Sequence, residues 1–387
     1  MLARATRRPL PSALLRLAMP GTTVLLSLLT AGCGRAPTAS TGQPPISATE
    51  TFLFAFNGEF AENAFLQNAV VFETPFMNME YERKHSLDDA SLVEAANLEW
   101  ARQIRRDRPE RRIILRYNAT TWGDVPRSFD EYLTTEMATL RRFLRLVERE
   151  GLRFDLAEFG GEFNGMGQYT YGFTAEQVVT YYEQGVRLLD SLATPGRVIV
   201  DIIPVYALND SVFSPGGGYQ LVTYEGVMDD LTFLRRLQAR GAPFAAVGIE
   251  LQPGAHTFHR FASVRPYLES LLDLGVELYV WEFWVLSRPL RQPTPMEASI
   301  YGHNAPPGGY SEAWQAEVLG QYLDFFRASG RVIGFNYMTP VDGFDPGYGS
   351  EPYATGILRA DGSPKPAYEV MMRFAAACDA HPRGRVR

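Results

Sequence analysis

Glu282 stands alone as a carboxylate inside an apolar, aromatic run, LYVWEFWVL, from Leu278 to Leu286. The run reads as a buried strand, and a charge there is costly unless it is paired or put to use. A second acidic stretch, DLAEFGGEFNG from Asp155 to Gly165, follows another strand-like run and carries Glu158 and Glu162. Two carboxylates at the ends of different strands can divide one task. One protonates a leaving oxygen while the other attacks the neighbouring carbon, which is the chemistry that cleaves a glycosidic bond. That chemistry needs a scaffold that brings distant strand ends together.

The periodicity supplies one. Strand-like runs are expected at 51–56, 68–73, 112–117, 154–159, 197–203, 245–251, 276–284 and 332–337. Helical patterns lie between and after them, at 91–106, 130–150, 174–192, 224–240, 264–274, 311–328 and 367–377. In the first of these, Leu92, Ala95, Ala96, Ala101 and Ile104 fall on one face. About eight strands alternating with helices through mostly short links predict a single α/β domain, a (β/α)8 barrel. An open doubly wound sheet would carry a glycine-rich phosphate turn after its first strand, and Phe56-Asn57-Gly58-Glu59 is no such turn.

Barrel active sites form at the carboxyl-terminal rim of the strands. Glu162 after the fourth strand and Glu282 near the end of the seventh both belong to that rim. Other polar and aromatic residues end strands as well: Asn118 and Trp122 after the third, Glu250 and Gln252 at the sixth, Asn336 and Tyr337 at the eighth. Trp122, Trp281, Trp284 and Tyr337 are candidates for stacking on sugar rings, with a core position the better reading of Trp284. His256 and His259 are three apart, but no third ligand has suitable spacing, so neither a metal nor another cofactor is expected.

Composition narrows the classes of partner. The 387 residues are 46% hydrophobic and 21% charged, which allows a sizeable core. A net charge of −7 lacks the basic footprint of a nucleic-acid binder or a membrane-surface protein. Residues 1–33 read as an address. Arg4, Arg7 and Arg8 precede an apolar stretch that Pro20 and Gly21 make too short for a transmembrane span. Leu29-Thr30-Ala31-Gly32-Cys33 resembles a bacterial lipobox, which implies cleavage before Cys33, its lipidation, and export to the cell envelope. Thr30 is less usual in such a box, so an ordinary signal peptide and secretion stay open. Residues 34–50, rich in Pro, Ser, Thr and Gly, form a flexible tether. The barrel is assigned to 51–378 and a tail to 379–387. With Cys33 taken by lipid, Cys378 is left without a partner and the domain is expected to fold without disulfides, as a monomer.

Several stretches resemble glycoside hydrolase family 10, the retaining endo-β-1,4-xylanases. Gly248-Ile249-Glu250-Leu251-Gln252 followed by His256 is similar to the family's G-I-G-L-Q and histidine, and Leu237 to Val247 matches its approach. Val280-Trp281-Glu282-Phe283-Trp284 falls on the nucleophile motif I-T-E-L-D. Ala157 to Asn164 falls, one residue short, on the acid/base motif W-D-V-V-N-E-A-F-N. Arg116 to Trp122 fits R-G-H-T-L-V-W, and Trp314 to Glu317 and Gly362 to Tyr368 fit the family's closing segments. The resemblance spans about Val70 to Phe374. It implies Glu282 as nucleophile, Glu162 as acid/base, and a β-linked polysaccharide, xylan or a related β-1,4-glycan, as substrate.

The departures bear on the substrate. Thr74 to Glu82 keeps the frame of T-P-E-N-E-M-K-W-E, but Phe76, Met77 and Glu80 replace its Glu, Asn and Lys. Asn118 stands for a histidine, Gly161 for the asparagine before the acid, and Glu250 for a glycine. With Gly161 there, Asn118 or Asn164 would have to hold the sugar's 2-hydroxyl. Glu250 reads either as a third carboxylate of the site or as half of an ion pair, and His256 as a contact or a loop residue. Glu158 remains an alternative acid, because Glu158 to Asn164 equally fits E-x-W-N-E-P-N of other families in the same clan. A barrel that binds glycans without cleaving them is the reading from a different class.

Overall fold

The computed structural model describes residues 52–56, 69–73, 98–99, 101–117, 128–169, 171–204, 227–255, 257–291, 298, 301, 304–343 and 353–380. Eight strands form one sheet: β1 Leu53–Phe56, β2 Ala69–Glu73, β3 Arg112–Tyr117, β4 Leu156–Phe159, β5 Val198–Ile202, β6 Ala246–Leu251, β7 Glu277–Phe283 and β8 Val332–Tyr337. Their order is β1-β8-β7-β6-β5-β4-β3-β2 with every pairing parallel. β1 and β2, at the two ends of that order, lie side by side. The sheet curls into the (β/α)8 barrel that the alternation predicts. Helical backbone at 101–107 (α1) is followed by α2 Phe129–Arg149, α3 Phe163–Tyr169, α4 Ala175–Leu192, α5 Asp230–Ala239, α6 Phe261–Asp273, α7 Glu312–Ser329 and α8 Pro366–Ala380.

Local chemistry sets the helix ends. Ser128 caps α2 by accepting from the Glu131 amide at 3.2 Å. Thr174 and Gln177 close a reciprocal capping box on α4, whose apolar face, Val178, Val179, Tyr182, Val186 and Leu189, is wholly buried. The short α3 is an insertion between β4 and α4 that the periodicity did not reveal, being only two turns long.

Two apolar bodies result from the period-two alternation of the strands. Outward residues such as Leu115, Phe159, Val200, Ile249 and Phe283 pack under the helices. Inward residues Leu53, Ile114, Leu156, Ile199, Ala246 and Ile333 fill the barrel, with Tyr279 and Trp281 among them. One step further along the same inward rows the chemistry changes. Ile114 is followed by Arg116, Leu156 by Glu158, Ile199 by Asp201, and all three are buried. Gly248 makes the room, since a Cβ there would come within 2.0 Å of the Asp201 carboxyl oxygen.

The rim beyond β7 and β8 is fastened by buried polar groups. Gln315 of α7 donates through Nε2 to the carbonyls of Val285 (2.8 Å), Thr355 (3.1 Å) and Gly356 (3.1 Å). Lys365, itself buried, donates to Ser287 Oγ at 2.8 Å and to Asp342 Oδ1 at 2.6 Å, and Asp342 also accepts from the Gly356 amide. Cys378 is buried in α8. Cys33, the chain's other cysteine, lies outside the described residues together with the tether.

Lys365→Met would strip the loops after β7 and β8 of their shared donor and leave Asp342 without its cation. A loss of about 3 kcal/mol in unfolding free energy is expected, read by urea denaturation; an unchanged midpoint would show that the clamp contributes nothing.

Candidate active site

The turn after β4 is built to hold one side chain in an unusual place. Gly160, Gly161 and Glu162 have φ of 132°, 51° and 67°, and Glu162 is the one non-glycine residue with positive φ among the described residues. That backbone region is uncommon outside glycine and marks a constrained residue. Tyr182 of α4 fixes the turn from beneath: a Cβ on Gly160 would lie 2.3 Å from its ring. The Tyr182 hydroxyl donates to the Asp201 carbonyl at 2.8 Å and accepts from the Asn164 amide at 3.0 Å. Asn164 then bridges to β5, its Nδ2 donating to the Ile203 carbonyl at 2.9 Å and its Oδ1 accepting from the Ile203 amide at 2.8 Å. Glu162 is left half-buried at the rim.

A register break in β7 sets the second carboxylate. Val280 pairs with Ile249 and Glu282 with the very next residue, Glu250, so β7 carries one residue more than β6 at this point. The same extra residue appears against β8, where Val280 pairs with Phe335 and Phe283 with Tyr337. A bulge of this kind re-aims a side chain. Here Trp281 stays in the barrel interior while Glu282, the next residue, also meets inward-facing groups. Glu282 Oε1 accepts from Gln252 Nε2 at 2.5 Å and from Trp284 Nε1 at 3.1 Å. Two donors on a half-buried carboxylate favour its charged form.

Glu250, on β6, is paired in register with Glu282. It is 4% exposed, and its Oε2 accepts from Gln252 Nε2 at 3.5 Å. Burial pushes its carboxyl well above the ordinary carboxylate range, the charges of Glu162 and Glu282 push it further, and Arg116 opposes them. Glu162, from the β4 turn, and Glu282, on β7, are therefore both near enough to act on this one buried carboxyl. Below this level the Arg116 guanidinium sits 3.6 Å from the centre of the Trp281 ring and 3.9 Å from Asp201.

The structure sorts the remaining candidates. Glu158 is wholly buried inside the barrel, beneath the rim. Trp281 is 1% exposed under Arg116, which removes it from the surfaces on which a sugar ring could stack. Tyr337 points outward from β8 against Phe283, with its hydroxyl on the Thr355 carbonyl at 2.6 Å. Asn164 spends its side-chain amide on Ile203. These three are fasteners of the scaffold, a correction to their reading as sugar contacts, and the reason is common to all: each found a backbone or ring partner in the neighbouring strand or loop. Trp284 packs against Tyr353, as a core residue should. Asn118, Trp122, His256 and the Thr74 to Glu82 segment lie outside the described residues. Sequence reasoning missed Asp201 and Tyr182. Asp201 carried a signal, since it interrupts the run VIVDI as Glu282 interrupts its own strand; Tyr182 carried none beyond helix periodicity.

What the fold and the rim define together is a parallel (β/α)8 barrel with a carboxylate cluster at the carboxyl ends of its strands. No protein-family model and no curated protein matches the sequence. Solved structures do match it in shape. Xylanase 10B from Thermotoga maritima superposes with a TM-score of 0.54 at 13% identity, covering 84% of this chain and 94% of that one. A GH10 endoxylanase retrieved from a sugarcane soil metagenome gives 0.55 at 11%, covering 84% and 96%. Fungal β-1,4-galactanases give 0.54 at 12%, covering 83% and 99%. At such identities the likeness establishes the barrel.

Gly160→Ala tests the turn. A methyl group there meets the Tyr182 ring and disfavours the positive φ, so a loss of roughly 2–3 kcal/mol is expected. Tyr182→Phe, which only removes the two hydrogen bonds, should cost about 1–2 kcal/mol. Equal stabilities for both variants and the parent in calorimetry would refute this account of the turn.

Proposed function

We propose that the protein is a retaining glycoside hydrolase acting on a β-linked polysaccharide, xylan or a related β-1,4-glycan. The observation that carries the reading is that Glu162, just after β4, and Glu282, near the end of β7, stand at the carboxyl ends of strands of one barrel, both near enough to act on the buried Glu250. Glu282, charged and held by Gln252 and Trp284, attacks the anomeric carbon as the bond to the leaving oxygen breaks. Glu162 gives its proton to that oxygen, and a glycosyl ester of Glu282 forms. Glu162, now a carboxylate, takes a proton from water, the water attacks the same carbon, and Glu282 is released. No metal or cofactor enters these steps. The half-buried position of Glu162, against the full burial of Glu158, supports Glu162 as the acid/base.

The expected experiment compares the soluble domain from Gly34 with Glu162→Gln and Glu282→Gln on a panel of β-linked polysaccharides. Glu162→Gln should lower kcat/KM by about 10²–10⁴, and Glu282→Gln should abolish turnover. Binding of one glycan by all three proteins, with no products from any, would instead establish the non-hydrolytic barrel.

We further propose export with a lipid anchor on Cys33. A sulfur in a lipid thioether cannot also form a disulfide, so the anchor and a Cys33–Cys378 bridge are mutually exclusive. Mass spectrometry of the mature protein from a bacterial envelope should find a diacylglyceryl group on an amino-terminal Cys33. A peptide cross-linked to Cys378 would overturn the anchor.

A further inference from the structure

Glu250 is the residue that departs from the pattern in this site, and its surroundings constrain its charge. It is 4% exposed, lies opposite Glu282 across the β6–β7 ladder, and shares the Gln252 amide with it. The sharing is unequal: Gln252 Nε2 is 2.5 Å from Glu282 and 3.5 Å from Glu250. Glu282 also holds the Trp284 indole N–H. Arg116 is engaged elsewhere, over the Trp281 ring and beside Asp201. Gln252 Oε1 is buried with no hydrogen-bond donor among the described residues, so a proton on the neighbouring carboxyl would have an acceptor to meet.

From this geometry we propose that Glu250 is a neutral carboxylic acid in the working protein, a positioning residue that confines the negative charge to Glu282 and steadies Gln252 against it. Two carboxylates joined by one neutral amide cannot both ionise cheaply, and the proton settles on the drier, less well solvated member. Of the charged groups that act on it, two favour the proton and one opposes it. Glu282 on β7 and Glu162 after β4 repel a charge on Glu250, Arg116 on β3 attracts it, and Tyr267 on α6 contributes none in its neutral form. Asp201 on β5 and Glu158 on β4 occupy the same interior below. The proposal deepens the hydrolase reading by naming what keeps the nucleophile charged, and it rests on that reading only for its kinetic consequence.

The sign of its stability effect is defined. A carboxyl whose pKa is raised on folding favours the folded state while both states are protonated. That advantage is lost as pH climbs from the unfolded carboxylate pKa toward the raised folded one. Glu250→Gln keeps a neutral group of the same shape and has no proton to lose. The melting temperature of Glu250→Gln relative to the parent should therefore rise by several degrees between pH 4.5 and pH 8 in calorimetry. A difference that stays constant across that range would overturn the proposal. Glu282→Gln is the second test and does not depend on the folding of the first variant. With the neighbouring charge gone, Glu250 ionises more easily, so the single variant should lose less stability with rising pH than the parent. A steeper or equal loss would overturn the proposal too. Both readouts are independent of turnover, so an inactive protein would sink the hydrolase reading without touching this one.

Discussion

Burying carboxyl groups inside a closed sheet with the Arg116 guanidinium among them is the constraint on which this structure turns. Glu158, Asp201, Glu250, Glu162 and Glu282 occupy the upper part of the barrel, and Arg116 is the cation that acts on Glu250. Their separate charges would repel in a medium that screens poorly. The molecule resolves the conflict by depth. Apolar residues close the lower interior, Arg116 with Asp201 and Trp281 forms a middle level, and the rim receives the groups that most need water or an amide donor. The placement of Glu282 at half burial and of Glu250 at near-complete burial follows from that gradient.

Precision at the rim comes from irregular backbone. A regular β7 would alternate Trp281 inward and Glu282 outward. The bulge lets consecutive residues do two jobs, one filling the barrel and the next meeting Gln252. Glu162 is placed by a different irregularity, three successive positive φ angles locked by Tyr182 and by the Asn164 bridge to Ile203. Both devices hold their side chains from the scaffold rather than from long loops. Behind them, Gln315 and Lys365 tie the loops after β7 and β8 to the outer helices, so the rim inherits the rigidity of the barrel.

Much of this was legible in the chain. The eight strands follow from short apolar runs separated by amphipathic stretches, and β3 and β8 fall at the expected bounds, Arg112–Tyr117 and Val332–Tyr337. Glu282 announced itself as a lone carboxylate in an apolar run. The same signal in VIVDI was available for Asp201 and was masked by the central position of that strand.

The sequence by itself determined the barrel, because the periods of burial along strands and helices are written in the order of apolar residues and need no knowledge of partners. It also determined which strand ends carry carboxylates. Only the tertiary structure decided which polar residues face one another. Trp281, Tyr337 and Asn164 resembled ligand contacts along the chain, yet each is claimed by a ring or carbonyl from a distant segment. Glu250, ambiguous as a residue type, became a buried acid because a one-residue bulge set it opposite Glu282. Hydrogen-bond partners and desolvation depend on distances between strands far apart in the chain, and those distances exist only once the sheet has closed.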